Sequence, residues 1–320
     1  MKRLLLAFVA CFSIHAPAQS QDYPSKPIRM ILPVLPGGAP DFVGRIVAER
    51  LSSRLNQKVI VDNRPGAGGI VGLELLKAAP PNGYTIASVQ SGPLTVSPFL
   101  QDNLPYDPLR DFTYITNLLK FPLLLVVHPS LPAKNVKELI ALARSRPGQV
   151  TYASSGQGGT AHVTAELFNL MARIKMARVQ YKSIAPAIVA VLSGEAQLTY
   201  ANTPAALPHV RSGRMRALGI TSAQRSSFLP EIPAIAESGL PGYEAYGAAG
   251  MLGPLNMPKD IVQRLNRETV AVLETKDVMD LMVPQGMLPA PCTPEEFVAF
   301  TRAELKKWGE VVKAADIKGE

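Results

Sequence analysis

Two short stretches carry residue types able to hold a small charged ligand. The first is Pro36, Gly37, Gly38, Ala39, Pro40 and Asp41. It follows the apolar run Ile28 to Leu32 and precedes Phe42, Val43, Ile46, Val47, Leu51 and Leu55, which recur at helical spacing. The second is Ser155, Gly156, Gln157, Gly158, Gly159 and Thr160, with His162 just beyond. It follows the strand-like Gln149 to Ser154 and precedes Ala161, Ala165, Phe168 and Ala172 on one helical face. Glycine lets the backbone approach a ligand because no Cβ intervenes. A helix N-terminus adds unbonded N–H groups and the positive end of the helix dipole. Together these features suit an anion. Pro40 fits the first helical position, Asp41 the first turn and Thr160 the N-cap. One such loop reads equally as an ordinary strand-to-helix turn with Asp41 as a capping acid. Two copies, one in each half of the chain, make a clamp if they face each other across a cleft.

The same residues admit a second chemistry. Ser155, His162 and Asp41 are the groups of a secreted serine hydrolase, which needs Ser and His in hydrogen-bond reach and an acid to orient the imidazole. Against this, no G-x-S-x-G elbow surrounds a serine. No two carboxylates are placed for acid–base work, and no His, Cys and Asp cluster has metal-ligand spacing. Gly66 to Gly72 approaches a dinucleotide fingerprint, but its last glycine sits one place late and no acidic residue ends a following strand. A binding protein with no cofactor and no metal is the expectation.

These loops need a scaffold, and the elements around them alternate. Val59–Asp62, Tyr84–Gln90, Val179–Tyr181, Ala196–Tyr200 and Met215–Thr221 read as strands, with helical runs between them. Ser91, Gly92 and Pro93 open a further loop with small polar groups. Long strand-like runs near 112–127 and 243–252 read as crossovers between two units. Three helices close the chain, the last opening with the capping box Thr293-Pro-Glu-Glu296. Trp308 reads as core, and Cys292 as a buried or cap-adjacent thiol with no chemistry. The fold class is α/β, two-lobed, with mixed sheets, two crossover strands and a ligand cleft at the carboxyl ends of the strands. The expected division is domain 1 at 19–123 and 247–320, and domain 2 at 124–246.

Lys2 and Arg3 precede an apolar run, Leu4 to Ile14, and Ala16-Pro17-Ala18 has the small-x-small form of a cleavage site. This is the pattern of a secretory leader cut after Ala18. Cys11 offers a lipoprotein alternative, with Phe8 where leucine is usual. Cleavage leaves one cysteine, Cys292, so no internal disulfide forms, and export without disulfides fits a bacterial periplasm. The formal net charge of +8 falls to +6 with the loss of Lys2 and Arg3. The remaining basic residues are scattered among few aromatics, which excludes a nucleic-acid stripe but favours approach of an anionic small molecule.

Short motifs then occur in a particular order. They are Tyr23-Pro-Ser-Lys-Pro27, Leu35-Pro-Gly-Gly-Ala-Pro-Asp41 with Arg45, and Val61-Asp-Asn-Arg-Pro-Gly-Ala-Gly-Gly69. Pro81-Asn-Gly-Tyr84, Tyr152-Ala-Ser-Ser-Gly156 with Gly159, Thr160 and His162, and Tyr181-Lys182 before Ala185-Pro186 complete the set. In combination they resemble the Bug family, the substrate-binding receptors of tripartite tricarboxylate transporters. The resemblance implies a type II periplasmic binding-protein fold acting as a monomer, with membrane transporter subunits as partners. It also implies two pincers, Pro36 to Asp41 and Ser155 to Thr160 with His162 beyond, that hold a ligand carboxylate through N–H groups, hydroxyls and bridging waters. Ser91, Ala201 and Asn202 join the expected ligand-binding set. Where members often carry an Asp after the strand ending at Tyr200, this chain has Ala201 and Asn202, which offer no charge to a ligand ammonium. Dicarboxylates, tricarboxylates and aromatic acids remain as ligands.

Overall fold

The computed structural model describes residues 23–37 and 39–318. The expected leader with its cleavage site, and Gly38 of the first loop, lie outside the described residues.

Strand β1 (Ile28–Leu32) is almost wholly apolar and leads to α1 (Ala39–Leu55), where Val43, Val47, Leu51 and Leu55 make a buried stripe. Then come β2 (Val59–Asn63), α2 (Ile70–Lys77), β3 (Thr85–Gln90) and the short α3 (Ser91–Thr95). Ser91 therefore opens a helical turn rather than a loop. The 16-residue β4 (Phe112–Val127) carries the chain into the second lobe. That lobe is built from α4 (Val136–Ser145), β5 (Thr151–Ser155), α5 (Thr160–Ala172), β6 (Ala177–Tyr181), α6 (Ile184–Leu192), β7 (Leu198–Asn202), α7 (Thr203–Arg211) and β8 (Arg216–Ile220). The chain returns through β9 (Tyr246–Pro254) and ends in α8 (Lys259–Leu273), α9 (Lys276–Met282), β10 (Leu288–Pro289) and α10 (Pro294–Ala314).

Among the described residues the strands join in the order β2-β1-β3-β9-β4-β7-β5-β6, with β8 and β10 also paired to β4. The two expected crossovers are β4 and β9. Strand β4 pairs with β9 from Phe112 to Pro122 and with β7 from Leu123 onward. The change of partner falls at Pro122, which has no N–H to contribute to a ladder. Thr221 pins this point. Its buried hydroxyl donates to the Ala245 carbonyl at 2.7 Å and accepts the Leu123 N–H at 2.8 Å, so one side chain ties both crossing segments together.

Helix α10 opens with the expected capping box, in which the Glu296 N–H reaches the Thr293 hydroxyl at 3.2 Å and the Thr293 N–H reaches the Glu296 carboxylate at 2.8 Å. Its first half packs in the first lobe, with the Phe297 ring edge-on to Tyr114 at 4.8 Å between centroids. Its second half does not stay there. Trp308, Val311 and Val312 join the core of the second lobe around Val136, Tyr152 and Phe168. Helix α10 thus contributes to both cores. The helix is long enough to serve both cores, and its apolar stripe continues past the lobe boundary.

Candidate functional site

The first loop is held from within. Asp41 is the third residue of α1 and is 4 % exposed. Its Oδ2 accepts the Gly37 N–H at 3.0 Å and Arg45 Nε at 3.0 Å, and its Oδ1 accepts Asn63 Nδ2 at 2.8 Å. Asn63, at the end of β2, also donates to the Val34 carbonyl at 3.1 Å and accepts Arg45 Nη2 at 2.7 Å. Burial alone would raise the Asp41 pKa. The hydrogen bonds from Arg45, Asn63 and Gly37, with the Arg45 charge, outweigh it and hold the carboxyl below its ordinary value. Asp41 is thus a brace that is ionised at neutral pH. Gly37 sits at φ +97°, a conformation that favours glycine, with open space where a Cβ would project.

The second loop repeats the device with a neutral acceptor. His162 is the third residue of α5 and is 3 % exposed. Its Nδ1 accepts the Gly158 N–H at 3.1 Å, across the same four-residue separation as Asp41 and Gly37. Burial, aided by the nearby Arg178 charge, pushes its pKa down to about 4, so the imidazole is neutral at neutral pH. Arg178, from β6, secures the outer side of the loop. Its Nη2 donates to the Gly156 carbonyl at 2.8 Å, its Nε to Ser154 Oγ at 2.8 Å and its Nη1 to Gln157 Oε1.

One expectation for this loop is corrected. Thr160 is not the N-cap; Gly159 occupies that position, with extended backbone. A Cβ on Gly159 would lie 2.1 Å from the Ser155 carbonyl oxygen, so the loop closes on itself there. A Cβ on Gly158 would lie 2.2 Å from Leu100 Cδ1 and 3.3 Å from Val96 Cγ1, so this glycine lets the second lobe rest on the first. Both glycines are required by packing within the protein itself. The hydrolase constellation also fails. Asp41 and His162 brace different loops, and no hydrogen bond joins either to Ser155 among the described residues.

Two cavities open between the lobes, and each loop borders one. The first, about 350 Å³, has Gly37, Phe42 and Phe121 on one side, with Asn202, Thr203 and Pro204 opposite. The second, about 640 Å³, sets Ala67, Gly68 and Gln101 against Gly156, Gln157 and Lys182. Each loop therefore faces the opposite lobe, but the two do not line one common cavity. Asn202 reaches the first cavity while its Oδ1 caps α7 through the Ala205 N–H at 3.3 Å. Ala201 does not reach it. It is fully buried in the second lobe's core, because β7 continues through Asn202 and alternate residues face opposite ways. Ser91 lies on a small packed void beside Val89, Phe297 and Phe300, away from both cavities.

Several residues at the site escaped the sequence reading. Arg178 was one of many scattered basic residues. Phe121, Thr203, Gln285 and Gly286 come together only through the crossover and the return of the chain after α9. The Phe121-Pro122 break inside a long apolar run and the Gln285-Gly286 turn were the available signals. Among the described residues no three His, Cys, Asp or Glu side chains are placed to hold a metal ion.

The comparisons with known proteins agree with this geometry. Residues 43–317 match the model of the Tripartite tricarboxylate transporter family receptor. Protein BugT of Bordetella pertussis is 36% identical over 322 residues, covering 99% of both chains. Among solved structures, R. palustris Rpa4515 with adipate superposes with a TM-score of 0.82 at 32% identity, covering 93% of this chain and 100% of that one. MatC (Rpa3494) from Rhodopseudomonas palustris with bound malate gives a TM-score of 0.76 at 26% identity, covering 91% and 100%. The chain belongs to the tripartite tricarboxylate transporter receptor family, and is a periplasmic solute-binding receptor rather than an enzyme.

Proposed function

We propose that the cleft captures a small carboxylate and that the loaded receptor presents it to the membrane subunits of a tripartite tricarboxylate-type transporter. The observation that carries this reading is the pair of braced loops. Each ends at a helix N-terminus, and each faces the other lobe across a cavity. The bracing uses the Gly37 and Gly158 N–H groups. It leaves the remaining first-turn N–H groups of each helix, Pro40 having none, without an intrahelical acceptor, so that each loop can hold a carboxylate in its own cavity directly or through water. The adipate and malate in the two structural neighbours support the ligand class.

In this reading the lobes are 19–123 with 247–320 and 124–246, sharing α10, and they hinge at Pro122–Leu123. The receptor works as a monomer, exported with its leader cut after Ala18. Thermal-shift screening against a panel of carboxylates, with mass spectrometry of any co-purified ligand, tests the central reading. Stabilisation without turnover is the expected result, and no stabilisation by any carboxylate contradicts it. N-terminal sequencing of the exported protein should begin at Gln19; a lipid-modified Cys11 would reject the cleavage site.

A further inference from the structure

The cavity beside Gly37 has an apolar, uncharged wall. Phe42, Phe121, Pro204 and Met287 supply its apolar surface, and none of its lining residues is Lys, Arg or His. The N-terminus of α7 opens on this wall, yet it is nearly closed to an anion. Of its first three residues, Pro204 has no N–H, and the Ala205 N–H is taken by the Asn202 side chain at 3.3 Å. A carboxylate placed there would be stripped of water with no countercharge and few donors, which is strongly unfavourable. Polar capacity of another kind is present. Thr203 is 2 % exposed, lines the cavity, and its hydroxyl has no hydrogen-bond partner among the described residues. That hydroxyl lies close to Gly286, where a Cβ would approach it to 2.7 Å, so only glycine leaves the position clear. A buried hydroxyl of this kind is satisfied by a neutral donor or acceptor on a ligand. The volume, about 350 Å³, falls in the range that encloses a ring-sized molecule.

We infer that this cavity selects an acid with a single carboxylate and an uncharged, ring-sized body bearing one hydrogen-bonding substituent, in preference to di- and tricarboxylates. The inference rests on the carboxylate-receptor reading. The carboxylate lies at the Gly37 end, beside the α1 N-terminus, and the body lies between Phe42, Phe121 and Met287. The substituent meets the Thr203 hydroxyl.

Calorimetric titration of the full receptor with benzoate, 4-hydroxybenzoate, nicotinate, adipate and citrate tests this. The best ring monocarboxylate should bind at least about tenfold more tightly than adipate or citrate, since one uncompensated buried charge outweighs several apolar contacts. Thr203→Val should cancel the advantage of 4-hydroxybenzoate over benzoate, a loss of roughly 2- to 10-fold for one neutral hydrogen bond, while leaving benzoate affinity within about twofold. Gln285→Arg, which places a cation at the rim, should raise adipate affinity. Equal or tighter binding of adipate or citrate by the parent protein would overturn this inference and leave the receptor reading standing. No binding by any of the five, with none in the wider panel, would remove both.

Discussion

Asp41 and His162 hold equivalent places in their loops but differ in charge, so they answer differently to pH. Asp41 has a lowered pKa, and its contribution is complete above the ordinary carboxylate range and lost only below it. His162 is depressed from 6.5 to about 4. Between those values the unfolded chain carries the proton and the native chain does not, so stability falls as pH drops through that window, by roughly 3 kcal/mol in all. Urea unfolding at pH 7 and pH 4.5 should show a larger loss for the parent than for His162→Gln, whose amide oxygen can still accept the Gly158 N–H. Equal losses would mean that His162 does not carry the acid sensitivity. The glycines differ as sharply. Gly37→Ala meets open space and should cost only the strain of φ +97°, about 1–2 kcal/mol. Gly159→Ala drives a Cβ to within 2.1 Å of a backbone carbonyl and should cost more, with a shift of the loop. Thermal melts that rank the two in the opposite order would contradict these roles. Both loops could be found from residue types because Gly, Asp and His at a strand-to-helix turn are rare enough to notice. What each residue touches could not, since Asn63 and Arg178 arrive from strands distant in sequence.

The strands β4 and β9 decide how the loops are carried. Most strands and the long helices follow from apolar periodicity, and the α10 cap from its Thr293-Pro-Glu-Glu296 signature. Strand ends were less visible. The sequence stopped β7 at Tyr200, and two further residues change which of Ala201 and Asn202 reaches the cleft, because side chains alternate along a strand. Thr221 was hidden for a related reason. A threonine at a strand end is ordinary until the crossing segments are brought to it. Thr221→Val keeps the shape but orphans the buried Leu123 N–H and the Ala245 carbonyl, at roughly 1–3 kcal/mol each. Chemical denaturation should show a loss of at least about 2 kcal/mol, largely restored in Thr221→Ser. A neutral Thr221→Val would show that the crossing point does not depend on this hydroxyl.

The two lobes are tied at several places besides the crossovers. Leu100 of the first lobe rests on Gly158 of the second, and α10 contributes to both cores. The cleft is therefore closed at one side and divided into two cavities, each bordered by one braced loop. The first loop carries no uncompensated charge of its own, since Asp41 and Arg45 neutralise each other. Affinity for an acid must then come from both lobes acting together, and the ligand must stabilise the arrangement in which they meet. Small-angle X-ray scattering of the receptor, with and without the acid that calorimetry shows to bind most tightly, tests this most directly. Binding should lower the radius of gyration and bring the scattering curve onto that calculated from this structure. Tight binding with an unchanged radius of gyration would contradict capture by closure of the two lobes.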